Sequence, residues 1–414
     1  MNLYENHRQN VYKDLPENSI MVLFAGPPKH KSADSFYTHW ANRDFFYLTG
    51  LTEPELIFTA YRTKNEIKEI LWILDREPHM IRWIGDVIHK DEAATISGIK
   101  DVRYVKDFPP FLSQLLLNTT YTKVFTVFPR RSFDLPPSYE EVFAQDLKKK
   151  YPTLTFHSIA PVIHKLRMIK SDSEIQAIEK AIHITEIGLR SIMSNLAPGK
   201  TENHMEAFFD FELKRNQVQW HAFNTIAASG KNATILHYEE NNATMQDGDL
   251  ILFDLGAQWK LYNADISRTF PINGTFTSQQ AAIYSIVLEA NKTVIDAIKP
   301  GLEFSQLQIL TKETLFQGLK KLNMVQTMED LTEYYFHGVS HFLGLDTHDV
   351  GIHNVKLEPG MVFTVEPGLY IRELGIGIRI EDDVVVTETG CRVLSKEIPK
   401  EIQEIENILQ NKEN

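Results

Sequence analysis

The chain has 414 residues, 43% of them hydrophobic and 24% charged, a globular composition too long for one core, so two domains are expected. Its net charge of −12 repels phosphate backbones and argues against a nucleic-acid partner. The single cysteine, Cys391, excludes an internal disulfide framework, and no run reaches the ~18–20 apolar residues of a membrane span or forms a signal-peptide core, so a cytoplasmic protein with no membrane partner is expected.

Between residues 20 and 160 the short apolar runs IMVLFAG (20–26), DFFYLTG (44–50), ELIFTAY (55–61), EILWILD (69–75) and KVFTVF (123–128) read as strands alternating with helical stretches, a small α/β domain. Phe108-Pro109-Pro110 and Asp134-Leu135-Pro136-Pro137 mark loops, and Lys148-Lys149-Lys150 reads as solvated surface. A boundary near residue 165 divides the chain into domains 1–165 and 166–414. Ser171 with Glu174 is a capping-box signature that opens a helix with Ile175, Ile178, Ile182 and Leu189 on one face.

The second half repeats a pattern. A helix ends at Ala197-Pro198-Gly199, another follows, and Asp247-Gly248-Asp249 turns into the strand LILFDLGA. A helix then ends at Lys299-Pro300-Gly301, another follows, and Glu358-Pro359-Gly360 turns into MVFTVEPG. Each unit continues into a second strand with a second acid, YNADISRTF in one and GIGIRIEDDVVV in the other. A pseudo-two-fold domain follows from this reading, each half giving two carboxylates to one central sheet.

Those acids are Asp254, Asp265, Glu366 and Glu381, and with His341 they sit in apolar or glycine-rich surroundings where carboxylates are costly. Four carboxylates and one imidazole form a hard ligand set able to neutralise two divalent cations, a standard device for hydrolysis. The segment GAQWKLYNA is expected to turn back as a hairpin, letting Asp254 and Asp265 meet across paired strands. In GIGIRIEDD, strand alternation puts Arg379 and Glu381 on one face and Ile376, Ile378 and Ile380 on the other. His337 and His341 have the spacing of a zinc-protease helix, but Gly338 stands where that motif requires Glu, which excludes it. The neighbouring His348, with His237 elsewhere, leaves further imidazoles to orient substrate or move protons.

HYEEN (237–241), DLGAQWKLYNADISRTFP (254–271), HGVSHFLGLDTHDVG (337–351), TVEPGLY (364–370) and GIGIRIEDD (375–383), with NRDFFYLTGLTEPEL (42–56) upstream, resemble the Xaa-Pro aminopeptidases (aminopeptidase P) of the creatinase and methionine aminopeptidase superfamily, peptidase family M24. The resemblance covers most of the chain. It implies an aminopeptidase P-like α/β N-terminal domain, creatinase-like in fold, followed by a pita-bread (α+β) metallopeptidase domain. The activity implied is release of the N-terminal residue from peptides with proline second, on two divalent ions, usually manganese. Asp265 and Glu381 match the acids shared by both metals, Asp254 the ligand of one, and His341 with Glu366 ligands of the other. Glu366 also matches the general base. His237 and His348 match histidines that hold substrate and stabilise developing charge, and His337 one that lines the proline pocket. Tyr370, Arg379 and Asp44 match a relay beside the metals. Trp83 resembles a tryptophan that reaches a neighbouring subunit's site, which implies a homodimer or homotetramer. The segment between Tyr370 and Gly375 is shorter than in some relatives, which affects the cleft rim.

Two other readings share this scaffold. A prolidase has the same five ligands but takes only dipeptides. A non-catalytic binding protein on the same fold is disfavoured by the intact ligand set and the acidic charge. Methionine aminopeptidases generally lack such an N-terminal domain.

Overall fold

The computed structural model describes residues 2–64, 66–117, 121–129, 132–352 and 354–411. The chain divides into two compact units, Met1–Arg167 and Met168–Asn414. No helix among the described residues is long and apolar enough to cross a membrane.

The first unit is built on a six-stranded mixed sheet. Its strands are β1 (Ser19–Phe24), β2 (Ile57–Arg62), β3 (Ile67–Ile73), β4 (Val102–Tyr104), β5 (Lys123–Thr126) and β6 (Thr155–Ser158), in the order β4-β3-β2-β1-β5-β6. Strand β1 pairs antiparallel with β2 and parallel with β5. All six of its residues are buried, as expected of an apolar run covered on both faces. Ile20, Val22, Phe24 and Trp72 pack with Phe108, Leu112 and Leu116, and the Trp72 indole N–H donates to Thr59 Oγ1 at 3.0 Å, so its one polar group is satisfied.

Two expectations fail here for local reasons. DFFYLTG forms a helix, Arg43–Thr49, in place of a strand. Asn42 Oδ1 accepts the backbone N–H groups of Asp44 and Phe45 at 2.9 and 3.2 Å, and Gly50 closes the helix at φ 74°. The aromatic content suggested a strand, but the caps on both flanks decide the conformation. Phe108-Pro109-Pro110 likewise opens a helix, Phe108–Leu117, because a first turn does not need the N–H that proline lacks.

The second unit carries the repeat. Helices Asp172–Asn195 and Glu202–Arg215 precede β7 (Ile226–Ser229), β8 (Leu250–Leu255), the β9/β10 hairpin (Gln258–Trp259 and Tyr262–Asn263) and β11 (Ile266–Pro271). Helices Ser278–Ala297 and Ser305–Lys321 precede β12 (Val362–Val365), the β13/β14 hairpin (Gly368–Ile371 and Ile376–Arg379), β15 (Asp382–Val386) and β16 (Cys391–Val393). The matched turns even share a backbone state: Gly199 and Gly301 follow the first helix of each half at φ 83° and 85°, a conformation that favours glycine. Ser171 caps as expected, with its backbone N–H donating to Glu174 Oε2 at 2.8 Å, and Ile178, Ile182 and Leu189 face the core.

The halves do not share one continuous central sheet. Strands order as β11-β8-β7 in one and β12-β15-β16 in the other. They join where the Glu381 N–H donates to Ser267 O at 3.0 Å and the Asp265 N–H to Asp383 Oδ2 at 3.1 Å. Both acids stand just ahead of a strand, where the backbone leaves its own ladder and can bond across. Asn42→Ala should lower unfolding stability by about 1 kcal/mol by removing the cap of helix Arg43–Thr49, measurable as a reduced denaturant midpoint with unchanged slope.

Candidate metal centre

Each half delivers its acids by the same device. In the first, Asp254 lies in β8 opposite Ser267 of β11, and Asp265 immediately precedes β11. In the second, Glu366 immediately follows β12, whose Val365 pairs with Asp382 of β15, and Glu381 immediately precedes β15. Antiparallel pairing therefore brings the two acids of each half to the same strand ends, and the junction of the halves sets the four around one cavity of about 250 Å³.

Asp254, Asp265, His341, Glu366 and Glu381 all line that cavity, with His237, His337, His348 and Arg379 around it. Ligand atoms of Asp265, His341 and Glu381 lie within 4.8 Å of one another. His341 Nδ1 is 3.1 Å from Phe342 O, which directs Nε2 at the carboxylates, 3.4 Å from Asp265 Oδ2 and 3.6 Å from Glu366 Oε1. A backbone-held imidazole with its second nitrogen turned inward is the usual arrangement of a histidine ligand.

The electrostatics fit bound cations. Burial, then Glu381 and Asp254, push the Asp265 carboxyl well above its usual range, and burial with Glu381 does the same to Glu366. Glu381 is pushed up to about 7 by burial and Asp254. Asp254 Oδ1 is buried with no hydrogen-bond partner among the described residues. Acids so destabilised as anions, beside an unsatisfied oxygen, are what one or more divalent ions would stabilise.

Arg379 is the cation the chain itself supplies. Its guanidinium donates to Asp254 Oδ2 at 2.6 Å, to Ser267 Oγ at 2.7 Å and to the Tyr370 hydroxyl at 3.0 Å. Ser267 Oγ in turn donates to Glu381 Oε2 at 2.7 Å. His337 Nε2 is 2.8 Å from the Tyr370 hydroxyl and its Nδ1 2.8 Å from Gly338 O. Burial and then Arg379 push the His337 imidazole down to about 4, so it is neutral near pH 7. Its ring meets Tyr335 edge-on at 4.9 Å.

The two units place the remaining predicted residues differently. Asp44 lies in the first unit, where it accepts from Arg167 at 2.8 Å and is 3.1 Å from His164 Nε2. Burial alone would raise its carboxyl, but His164 and Arg167 override that and lower it. Trp83 is 82% exposed, on helix Pro78–Ile84, which buries none of its residues. His237 and His348 both border the cavity, the latter with its ring 4.3 Å from His341. The short segment after Tyr370 is one 3-10 turn, Arg372–Leu374.

Several supporting residues were not anticipated. Ser267 and Thr269 alternate with Asp265 along a fully buried strand, a polar face that period-two reading of ADISRTF exposes. Asn291 donates from Nδ2 to Val365 O at 3.1 Å, bracing the strand that precedes Glu366. Glu202, fully buried, accepts from Ser229 N, Ser229 Oγ, Asn232 Nδ2, Tyr238 OH and Ala243 N at 2.7–3.2 Å, and so pins the segment that carries His237. Its partners lie 27–41 residues away, and no local pattern announces it.

A cavity of carboxylates and imidazoles on a duplicated scaffold defines a metal-dependent hydrolase. The known proteins agree. The model "Aminopeptidase P, N-terminal domain" matches residues 4–125 and "Metallopeptidase family M24" residues 176–388. The Xaa-Pro aminopeptidase of Escherichia coli (strain K12) is 34% identical, over 98% of this chain and 97% of its own. A solved Bacillus anthracis structure assigned to aminopeptidase P has a TM-score of 0.98 at 45% identity, covering 99% of this chain and 98% of that one. Zinc-substituted E. coli aminopeptidase P in complex with product has a TM-score of 0.91 at 33% identity, covering 100% and 98%. The chain belongs to metallopeptidase family M24, with the aminopeptidase P type of N-terminal domain.

The raised carboxyls predict a pH-dependent penalty in the metal-free protein. A folded pKa above the unfolded one means that the folded chain keeps a proton the unfolded chain has released, so stability falls as pH rises from the ordinary value of 4.5 toward about 7 in the case of Glu381. Thermal melts should show this fall in chelated protein and a smaller one in metal-loaded protein. Asp265→Asn should raise the melting temperature of the chelated form at pH 7, by about 2–4 °C per kcal/mol of repulsion relieved, while abolishing the upward shift that added metal gives the wild type.

Proposed function

We propose that this chain is an Xaa-Pro aminopeptidase, releasing the first residue from peptides with proline second. The observation that carries the reading is the convergence of Asp254, Asp265, His341, Glu366 and Glu381 on one cavity bordered by three further histidines. These five side chains would hold two divalent ions, and manganese suits so oxygen-rich a set. When bound, the ions polarise the scissile carbonyl and acidify the attacking water.

The chain's own groups do the rest. Glu366, with its carboxylate at the cavity wall, takes the proton from the attacking water and returns it to the departing prolyl nitrogen. His237 and His348 donate ring N–H groups to the carbonyl oxygen as it gains negative charge, where a fixed donor helps the transition state more than the ground state. Neutral His337 turns an uncharged ring toward the proline pocket, since a charged imidazole there would resist an apolar ring. Arg379, which also donates to the Tyr370 hydroxyl, holds Asp254 in place and with Tyr370 forms the relay beside the metals. The single cysteine supports a cytoplasmic setting. The exposed Trp83 supports a homodimer or homotetramer in which it meets a neighbouring subunit. The division at 165/166, with a creatinase-like domain ahead of a pita-bread domain, follows the same reading.

Mass spectrometry on Gly-Pro, Arg-Pro-Pro and a longer Xaa-Pro peptide, with manganese or chelator, tests the assignment. Release of the first residue from the longer peptides, lost on chelation, is expected; cleavage confined to Gly-Pro would make the chain a prolidase, and no cleavage with any metal would leave a binding scaffold. Glu366→Gln should lower kcat on the order of 10²–10⁴-fold.

A further inference from the structure

The second unit holds a buried ion pair outside the ligand set. Lys170 Nζ lies 3.0 Å from Asp349 Oδ2, and each side chain is only 1% exposed. Removing both ions from water costs several kcal/mol each, which their attraction at best roughly offsets, so such a pair is a poor source of stability. Its location is more informative. Asp349 directly follows His348, and its N–H donates to Phe342 O at 2.8 Å, next to His341. The Lys170 N–H donates to Gly360 O at 2.9 Å, beside the bridge between Ile169 and Met361 at the entry to the strand that leads to Glu366. The pair therefore ties the backbone behind His348 to the backbone that delivers a carboxylate. Gly344 leaves room for it: a Cβ there would stand 2.4 Å from Asp349 Oδ2 and 2.9 Å from Lys170 Cε.

We propose that Lys170 and Asp349 are positioning residues for His348, fixing its imidazole against His341 and the carboxylate cavity. The inference rests on the substrate contact assigned to His348 above. Neither residue touches substrate; a displaced imidazole would lose its aim at the carbonyl oxygen in the transition state, which lowers kcat more than it raises KM.

Lys170→Met alone strands a buried carboxylate and can unfold the chain, so the decisive variant is Lys170→Met/Asp349→Asn, which removes both charges at similar volume. It should fold, bind manganese with the wild-type stoichiometry, and lose kcat on Arg-Pro-Pro by about 10–100-fold with KM changed less than about threefold. Introduced into His348→Ala, the same pair of changes should cost no further kcat. A wild-type kcat in the double variant, or an equal loss with and without His348, would overturn the proposal. If the wild type cleaves no Xaa-Pro peptide, the functional reading fails, and crystal structures then decide this one: a His348 ring shifted relative to His341 in the double variant upholds it, and an unmoved ring refutes it.

Discussion

The centre depends on a reciprocal pair of hydrogen bonds. Glu381 donates its N–H to Ser267 O, and Asp265 donates its N–H to a carboxylate oxygen of Asp383, so each half holds the backbone of the acid contributed by the other. Each half contributes two of the four carboxylates that line the cavity. Because each acid lies in or directly beside a strand whose register is set by its antiparallel partner, a one-residue slip in either pair would turn an acid to the wrong face and replace it with an apolar neighbour such as Ile266 or Ile380.

Holding four acids together in a low-dielectric interior is costly, and the surroundings show how that cost is distributed. Strand alternation separates two adjacent aspartates. Asp382 faces Arg268 at 2.7 Å and Lys400 at 2.6 Å; burial would raise its carboxyl, but these two cations override it and lower it. Asp383, on the side of Asp265, is raised by burial and by Glu381. Arg268 is wholly buried and donates to the carbonyls of Ser267, Glu381, Ile398 and Pro399, stiffening the backbone beneath Glu381 without neutralising it. The protein thus spends its cations behind the site, Arg379 excepted, and leaves the acids facing the cavity for ions from solution.

Legibility in the sequence followed the range of the determining interaction. Alternation in GIGIRIEDD places Arg379 with Glu381, and GAQWKLYNA makes its hairpin through Lys260 and Leu261, both at positive φ as a tight two-residue turn requires. Both are local patterns. The helix of DFFYLTG is also local: its caps, Asn42 and Gly50, flank a run whose aromatic content points to a strand, and the caps prevail. The separation into two sheets, and the grip of Glu202 on the His237 segment, depend on contacts across tens to more than a hundred residues, which no window contains.

The histidine predicted to line the proline pocket is not independent of the acids. From His337 Nε2 a continuous chain runs through the Tyr370 hydroxyl to Arg379 and on to Asp254. With Nδ1 protonated toward Gly338 O, Nε2 accepts from Tyr370, whose oxygen accepts from Arg379, so both bonds between the guanidinium and the imidazole are donated toward the imidazole. Protonating His337 would reverse the last link and set a second cation near Arg379, the same repulsion that, with burial, holds the imidazole down to about 4. The direction of these bonds keeps the ring neutral and in one orientation, while the other arm of the same guanidinium restrains the Asp254 carboxylate. A single buried arginine therefore links the His337 ring to the Asp254 carboxylate, and replacing it by lysine, a point charge without the planar fork, would preserve the charge but not the three simultaneous bonds.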